Sequence, residues 1–441
     1  MRTAPFRFQD HAHSIILFAA FALFLGLRLP GTFTAPYYAD DYNNFRDILK
    51  ISSNPLAPFV ETIQRDPRRH PFFAYVFFLE HQIFGLSLPG YYLFVFLIHI
   101  VNCFLLSRLV RALGGDATAA LLSGLLFLFS SAFYSVLITL TCTPYTLCFL
   151  FFILALLSWI QFIREGHPED FLKTCLFQAL AQLNCEAALV FPLLALLTAL
   201  LLKPKETRQT QLLFYGFLLI LLDGLMAFYL LNNFFHAPGG VQTQWISAAG
   251  ALNFLPKFLS LLKMFFQPLW IPEKGFLTVS SHWENLFRLL PLLGCTALLL
   301  FILRGKKPAV FIGELRCPLV LIGFFWIGVT VLPFLPGRAT FEHITRYMYF
   351  PMAGFCLIFG AFMSRLFKLI RPSAGKSFLC LILLGYIFGL NALTTSFHLG
   401  RYKLYMSDHT QYQKKIIELF EPVFRETSDP GNIRTPAASP G

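Results

Sequence analysis

The chain has 441 residues, 56% of them hydrophobic and only 13% charged, with a mean hydropathy of +0.63. That composition excludes a water-soluble globule, a disordered chain and a coiled coil, all of which need more charge. The net charge of +12, from 35 Lys and Arg against 23 Asp and Glu, would suggest nucleic acid in a soluble chain, but here its placement records membrane topology.

In chain order, the first apolar run covers 14–29 and follows Met1, Arg2 and Arg7. No small-residue cleavage site follows it, only Pro30-Gly31-Thr32-Phe33, so a retained helix is expected rather than a cleaved leader. Further runs approach the ~20 apolar residues that carry a helix across ~30 Å of hydrocarbon. Hydropathy and charge together predict an all-α polytopic membrane protein with about eleven crossings, near 14–30, 91–110, 117–137, 145–163, 171–184, 187–202, 212–231, 286–303, 317–335, 349–367 and 377–397. Long unbroken apolar runs exclude a β-barrel, whose strands alternate. The pair 171–202 is short for two full spans and is interrupted by Asn184-Cys185-Glu186, which predicts two helices meeting at a polar turn. Segment 257–271 carries Lys263 and closes on Pro268 and Pro272, which suits an interfacial or re-entrant helix.

Basic residues gather in alternate gaps: Arg108 and Arg111; Arg164 and Lys173; Lys203, Lys205 and Arg208; Arg304, Lys306, Lys307 and Arg316; Arg365, Lys368, Arg371 and Lys376. Gaps 139–145 and 232–256 contain no Lys or Arg. The positive-inside rule puts the N-terminus in the cytoplasm and, with an odd number of crossings, the C-terminus outside. Residues 1–397 then read as one transmembrane unit. Residues 398–441 form an external helix and a tail expected to be disordered. Nine cysteines, an odd number mostly within apolar runs, read as buried thiols rather than disulfides or a metal site.

Two segments outside the lipid could carry chemistry. Residues 31–90 hold Asp40-Asp41, then an amphipathic stretch 41–51 with Tyr42, Phe45, Ile48 and Leu49 on one face, expected to lie on the membrane surface. Neighbouring side chains point apart, so one aspartate can enter a cavity while the other caps the helix or binds an ion. A partly desolvated carboxylate can act as a general base on a hydroxyl, although two helix-capping aspartates would look the same. Arg68-Arg69-His70-Pro71 reads either as a solvated basic turn or as a phosphate clamp, because guanidinium forks match phosphate oxygens. His99 and Asn102, at i and i+3, share a helix face suited to interhelical hydrogen bonds. Glu186 and Asp223 are carboxylates at or in the apolar layer, where they mark function or a salt bridge. In the second external segment, 336–348, Arg346 leads into Tyr347-Met348-Tyr349-Phe350-Pro351, whose tyrosines read as interfacial anchors.

These pieces together resemble the GT-C superfamily of polyprenyl-phosphate-sugar-dependent glycosyltransferases, with similarity to its protein-mannosyltransferase and transmembrane O-mannosyltransferase branches. The resemblance rests on the external acidic pair Asp40-Asp41, on Phe84-Gly85-Leu86-Ser87-Leu88-Pro89-Gly90-Tyr91-Tyr92-Leu93, on His99-Ile100-Val101-Asn102, on Glu186 followed by Pro192, and on Arg346–Pro351. It spans about 14–397 and is strongest over 35–105. His70 separates Arg69 from Pro71, and Cys185 stands where that branch has Lys. The eukaryotic branch's TPR repeats do not follow the last span, which directs the expectation to a bacterial inner (plasma) membrane. The resemblance implies transfer of a sugar from a polyprenyl-phosphate donor to a glycan, lipid or protein hydroxyl on the extracytoplasmic face. It casts Asp40 as base and Asp41 as a positioning group or ligand of a divalent cation such as Mg or Mn, the reverse assignment staying open. Arg68, Arg69 and Arg346 are cast as donor-phosphate ligands, and Glu186, His99, Asn102 and Tyr347 as supporting residues. The partners expected are the lipid donor and membrane lipid, with no nucleic acid. The rival reading is a transporter or flippase using Asp223, Glu186 and Asp40/Asp41 as ion sites, although the paired halves of that class are not visible.

Overall fold

A computed structural model describes residues 8–32, 41–58, 60, 71–202, 214–221, 223–225, 317–331, 345–370, 378, 382, 384–389 and 391. Every regular element among them is helical: α1 (Phe8–Thr32), α2 (Asp41–Ser53), α3 (Pro71–Phe84), α4 (Leu88–Ala112), α5 (Ala117–Phe129), α6 (Tyr134–Ile138), α7 (Thr143–Glu165), α8 (Pro168–Gln182), α9 (Phe191–Leu202), α10 (Phe214–Leu225), α11 (Pro318–Val331) and α12 (Tyr349–Ile370). Short 3-10 turns at Leu140–Cys142, Glu186–Val190 and Thr345–Met348 connect them. Three helical stretches, Leu88–Ala112, Leu140–Glu165 and Thr345–Lys368, are long and apolar enough to cross a membrane. The regions predicted at 257–271 and 286–303 lie outside the described residues.

The bundle is apolar on both its inside and its outside. Along α4, Leu97, Val101 and Phe104 are 46%, 44% and 48% exposed at helical spacing, while Tyr91, Val95, His99, Asn102 and Leu106 on the other side are buried. α8 exposes Leu172 and Leu176, α9 Leu193 and Leu200, and α10 Phe214, Phe217 and Leu221. Faces of this kind would aggregate in water and are at home in hydrocarbon. Lipid tails are as apolar as Leu, so helix pairing in this setting depends on close van der Waals approach and a few buried hydrogen bonds.

Small residues supply the close approach. A Cβ on Gly323 would lie 2.8 Å from the Gly354 carbonyl oxygen, and one on Gly354 only 2.6 Å from the Gly323 carbonyl oxygen, so α11 and α12 meet backbone to backbone. Gly360 touches α5 in the same way, its hypothetical Cβ 2.5 Å from the Ala119 carbonyl oxygen. α5 and α12 run antiparallel: Asp116 holds Ser364 and Lys368 at one end, Ser123 donates to the Cys356 carbonyl at 2.8 Å, and Ser135 meets Thr345 at 2.6 Å beyond the other. Asp116 also caps α5 through the Ala119 N–H at 2.7 Å. Burial alone would raise its pKa, but the Lys368 ammonium 2.6 Å away, Ser364 and that N–H together hold it below the ordinary value. Arg164 donates to the Ala112 carbonyl at this same end, so among the described residues the basic gaps holding Arg108 and Arg111, Arg164, and Lys368 lie on one side of the bundle.

The structure differs from the predicted crossing at 117–137, which breaks at Ser130. There Ser131 gives both its N–H and its hydroxyl to the Asn391 side-chain oxygen, each at 3.0 Å, and the Ser130 hydroxyl accepts from the Ala132 N–H. Serine hydroxyls compete with the helical ladder for backbone partners. The chain then folds into α6 and the turn Leu140–Cys142 across the end opposite the basic gaps. The pair at 171–202 forms as expected, α8 ending at Gln182 and a turn at Glu186–Val190 leading into α9. The helix predicted from Asp41 also forms, but protein covers its apolar face: Phe45 packs 5.3 Å from Phe77, 6.1 Å from His81 and 6.3 Å from Tyr91, ring centre to ring centre.

Gly354→Leu should therefore drive a side chain into the facing backbone and cost about 1–3 kcal/mol or more, read as a lower Tm of the detergent-purified protein. Gly328→Ala on α11, with nothing within 4 Å of its Cβ, should leave Tm unchanged.

Candidate functional site at the end opposite the basic gaps

The structure places the predicted residues in two groups. His99 and Asn102 are fully buried in the bundle and reach no surface. Asn102 Nδ2 donates to the Thr146 carbonyl at 2.9 Å and to the Tyr349 hydroxyl at 3.0 Å. His99 Nδ1 lies 2.9 Å from that hydroxyl, and its Nε2 lies 3.3 Å from the Leu128 carbonyl. With a neutral imidazole, one proton arrangement satisfies all four contacts: the Tyr349 O–H, already accepting from Asn102, donates to Nδ1, and Nε2–H donates to the carbonyl. The rings of Phe133, Phe127 and Phe149 surround Tyr349 at 4.8, 5.1 and 5.1 Å. His99 and Asn102 thus join helices, as their shared face predicted. Tyr349, expected as an interfacial anchor, is instead fully buried at the centre of this joint.

Three residues before it the chain is back at the bundle end. The turn Thr345–Met348 is pinned from below by Met348 and Tyr349, both fully buried, and from the side by the bond from Thr345 to Ser135. That leaves Arg346 and Tyr347 half-buried, the guanidinium carbon 5.4 Å from the Tyr347 ring centre. Tyr347 lies 6.2 Å from the ring of Tyr145, on the first turn of α7. The exposed Glu186 is within electrostatic reach of both tyrosines, and Arg346 is within reach of Tyr145 and Cys142. Arg346 has no carboxylate partner among the described residues, and its Nε is buried without a hydrogen bond. A cation held in place by its backbone, partly shielded from water and without a carboxylate partner among the described residues, has the chemistry to receive an anion.

Of the predicted residues, the fold brings Arg346, Tyr347 and Glu186 together. Tyr145, which sequence reading passed over, joins them; the only available signal was its place directly after Pro144 at the start of an apolar run. Asp41 is the first residue of α2, and α2 packs on the Leu140–Cys142 turn that neighbours Arg346. Asp40, Arg68 and Arg69 lie outside the described residues. No three His, Cys, Asp or Glu side chains converge among the described residues, which do not include Asp40.

The Phe84–Leu93 motif forms the elbow between α3 and α4. Gly85 takes φ +55°, and a Cβ on Gly90 would strike the Phe84 ring at 2.4 Å, so both glycines are required by the bend. The Tyr91 hydroxyl closes the elbow by donating to the Gly85 carbonyl at 2.6 Å. One turn before it Glu80 is 4% exposed, with Oε1 unpaired, and burial lifts its pKa from 4.5 to about 8.

Bundle and site together define a helical membrane protein with Arg346, Tyr347, Tyr145 and Glu186 gathered at one end. The family model described as dolichyl-phosphate-mannose-protein mannosyltransferase matches residues 67–231, less than half of the 441-residue chain. That segment contains Arg68, Arg69, His99, Asn102 and Glu186, and it bears out the GT-C resemblance. No curated protein matches the chain.

Glu80 binds its proton more tightly in the folded chain than in the unfolded one, so its contribution to folding stability is fully present below about pH 4.5 and is lost as pH rises toward about 8. The loss is at most about 1.4 kcal/mol per pH unit in that window. Glu80→Gln should flatten the decline of Tm between pH 5 and 9; parallel curves for the variant and the parent would refute this account of Glu80.

Proposed function

We propose that the protein transfers a sugar from a polyprenyl-phosphate donor to an acceptor hydroxyl on the extracytoplasmic face of a bacterial inner membrane, with inversion at the anomeric carbon. The observation that carries the proposal is Arg346, a guanidinium with no carboxylate partner among the described residues, at the end of the bundle away from the described basic gaps. The positive-inside rule makes that end external and sets the N-terminus in the cytoplasm and the C-terminus outside.

The reaction is a single displacement. Asp40 takes the proton of the acceptor hydroxyl, the oxygen attacks the anomeric carbon from the face opposite the phosphate, and the carbon–oxygen bond to phosphate breaks with its electron pair leaving on the phosphate. The donor is a phosphodiester with one negative charge, and the departing monoester carries more. A fixed cation therefore stabilises the transition state more than the ground state. Arg346 supplies that charge from the bundle, and Arg68 and Arg69 supply it from the external segment. Glu186 and Tyr347 contact the sugar, the lipid-facing grooves between helices hold the prenyl chain, and His99 and Asn102 keep the helices in register. Asp41 positions the acceptor or holds a divalent cation, since carboxylate oxygens suit Mg or Mn; activity surviving EDTA would leave it the positioning role.

Release of polyprenyl phosphate in native membrane vesicles supplied with polyprenyl-phosphate-linked sugar tests the scheme. Arg346→Gln should lower kcat by about 10²–10³ at unchanged expression. Asp40→Asn, or Asp41→Asn if the roles are reversed, should lower it by about 10²–10⁴. Full turnover by the double Asn variant would overturn the proposal.

A further inference from the structure

Gln178 and Gln182 stand one turn apart on α8, and both side-chain amides end on Asp223 of α10. Gln178 Nε2 lies 3.2 and 3.3 Å from the two carboxylate oxygens, and Gln182 Nε2 donates to Oδ1. Gln178 is 4% and Asp223 6% exposed, and Asp223 forms no ion pair among the described residues. The same Gln178 nitrogen also donates to the Ala188 carbonyl at 2.8 Å. An amide NH₂ has two hydrogens in one plane. When Asp223 takes one, the rotation of the amide is set and the other points at Ala188.

Ala188 lies in the middle of the turn Glu186–Val190, two residues past Glu186. The turn's own backbone bonds include that from the Ala188 N–H to the Cys185 carbonyl at 3.2 Å and that from the Phe191 N–H to the Ala188 carbonyl, which thus accepts from both Phe191 and Gln178. Just before it the Asn184 and Cys185 N–H groups donate to the Ala181 carbonyl at 3.0 and 3.1 Å, and side chains add the Cys148 thiol 3.7 Å from the Cys185 carbonyl, the Cys185 thiol 3.6 Å from a Glu186 carboxylate oxygen, and Asn184 donating to the Leu180 carbonyl at 2.8 Å. We infer that Asp223 is a positioning residue: acting through Gln178, it fixes the turn that carries Glu186 and so ties α10, inside the apolar layer, to the geometry of the proposed site. The contribution to sugar transfer rests on the function proposed above; the effect on the turn does not.

If the cluster only joined α8 to α10, its two glutamines would be interchangeable. If it positions the turn, only Gln178 matters, because only Gln178 reaches Ala188. Cys185, fully buried and directly before Glu186, is a native reporter of the turn. The full-length protein in detergent is exposed to N-ethylmaleimide, and alkylation is followed at each cysteine by peptide mass spectrometry. Gln178→Leu and Asp223→Leu should speed alkylation of Cys185 by about 5–10-fold, the local opening expected when one buried hydrogen bond is lost. Gln182→Leu should match the parent protein. Cys103 and Cys356, buried in the bundle, should stay unreactive in all three variants. An unchanged rate at Cys185 in Gln178→Leu, equal effects of the two glutamine variants, or a parallel rise at Cys103 and Cys356 would overturn the inference. Faster alkylation accompanied by a raised donor KM supports it together with the role of Glu186. Faster alkylation with unaltered donor turnover would leave the positioning of the turn standing and remove Glu186 from the site.

Discussion

One phenolic hydroxyl in the apolar interior organises the described bundle. The Tyr349 O–H accepts from Asn102 and donates to His99, whose other nitrogen reaches Leu128, while Asn102 also reaches Thr146. α4, α5, α7 and α12 are thereby joined at one point. A hydrogen bond between membrane helices is worth only about 0.6–2 kcal/mol, so no single bond here accounts for stability. Its larger effect is on register: every donor in the joint has its acceptor only when the four helices stand at one height relative to one another, and a slip would leave polar groups unmatched in hydrocarbon. The backbone contact at Gly323 and Gly354 adds the lateral constraint and sets how near α11 comes to α12.

The site inherits its geometry from that joint. Arg346 is three residues from Tyr349, so the position of the guanidinium is set by where the tyrosine is held. Tyr145 stands one residue before Thr146, whose carbonyl is fixed by Asn102. The two aromatic side chains nearest the cation are thus governed by the same buried network, while Glu186 arrives from a separate turn held by α8.

Much of this was legible in the sequence, and the remainder was hidden for identifiable reasons. Asn184-Cys185-Glu186 interrupts an apolar run with polar residues, so the turn between α8 and α9 could be read directly. Asp41 before a helical pattern of Phe45 and Ile48 marked α2, although not that α3 would cover it. His99 and Asn102 announced a polar joint, but their partner lies 250 and 247 residues further on, and nothing local identifies it. Tyr349 sits among tyrosines that also suit an interface. The break at Ser130 was concealed because two serines in an apolar run cost hydropathy little, and what ends the helix is Asn391, far along the chain. Arg346 was visible as a charge beside aromatics, whereas its lack of a carboxylate partner among the described residues is a property of the folded protein alone.

The Arg346 cation also bears on how a catalytic cycle would close. A charge placed to favour a departing phosphate monoester holds the finished product more firmly than the starting diester. On the proposed chemistry, the spent carrier lipid would compete with fresh donor for the same guanidinium, and its departure rather than sugar transfer would set the pace once acceptor is plentiful. Throughput would then follow how quickly the membrane clears and recharges its carrier pool, making the enzyme responsive to the supply state of the envelope without a separate regulatory domain.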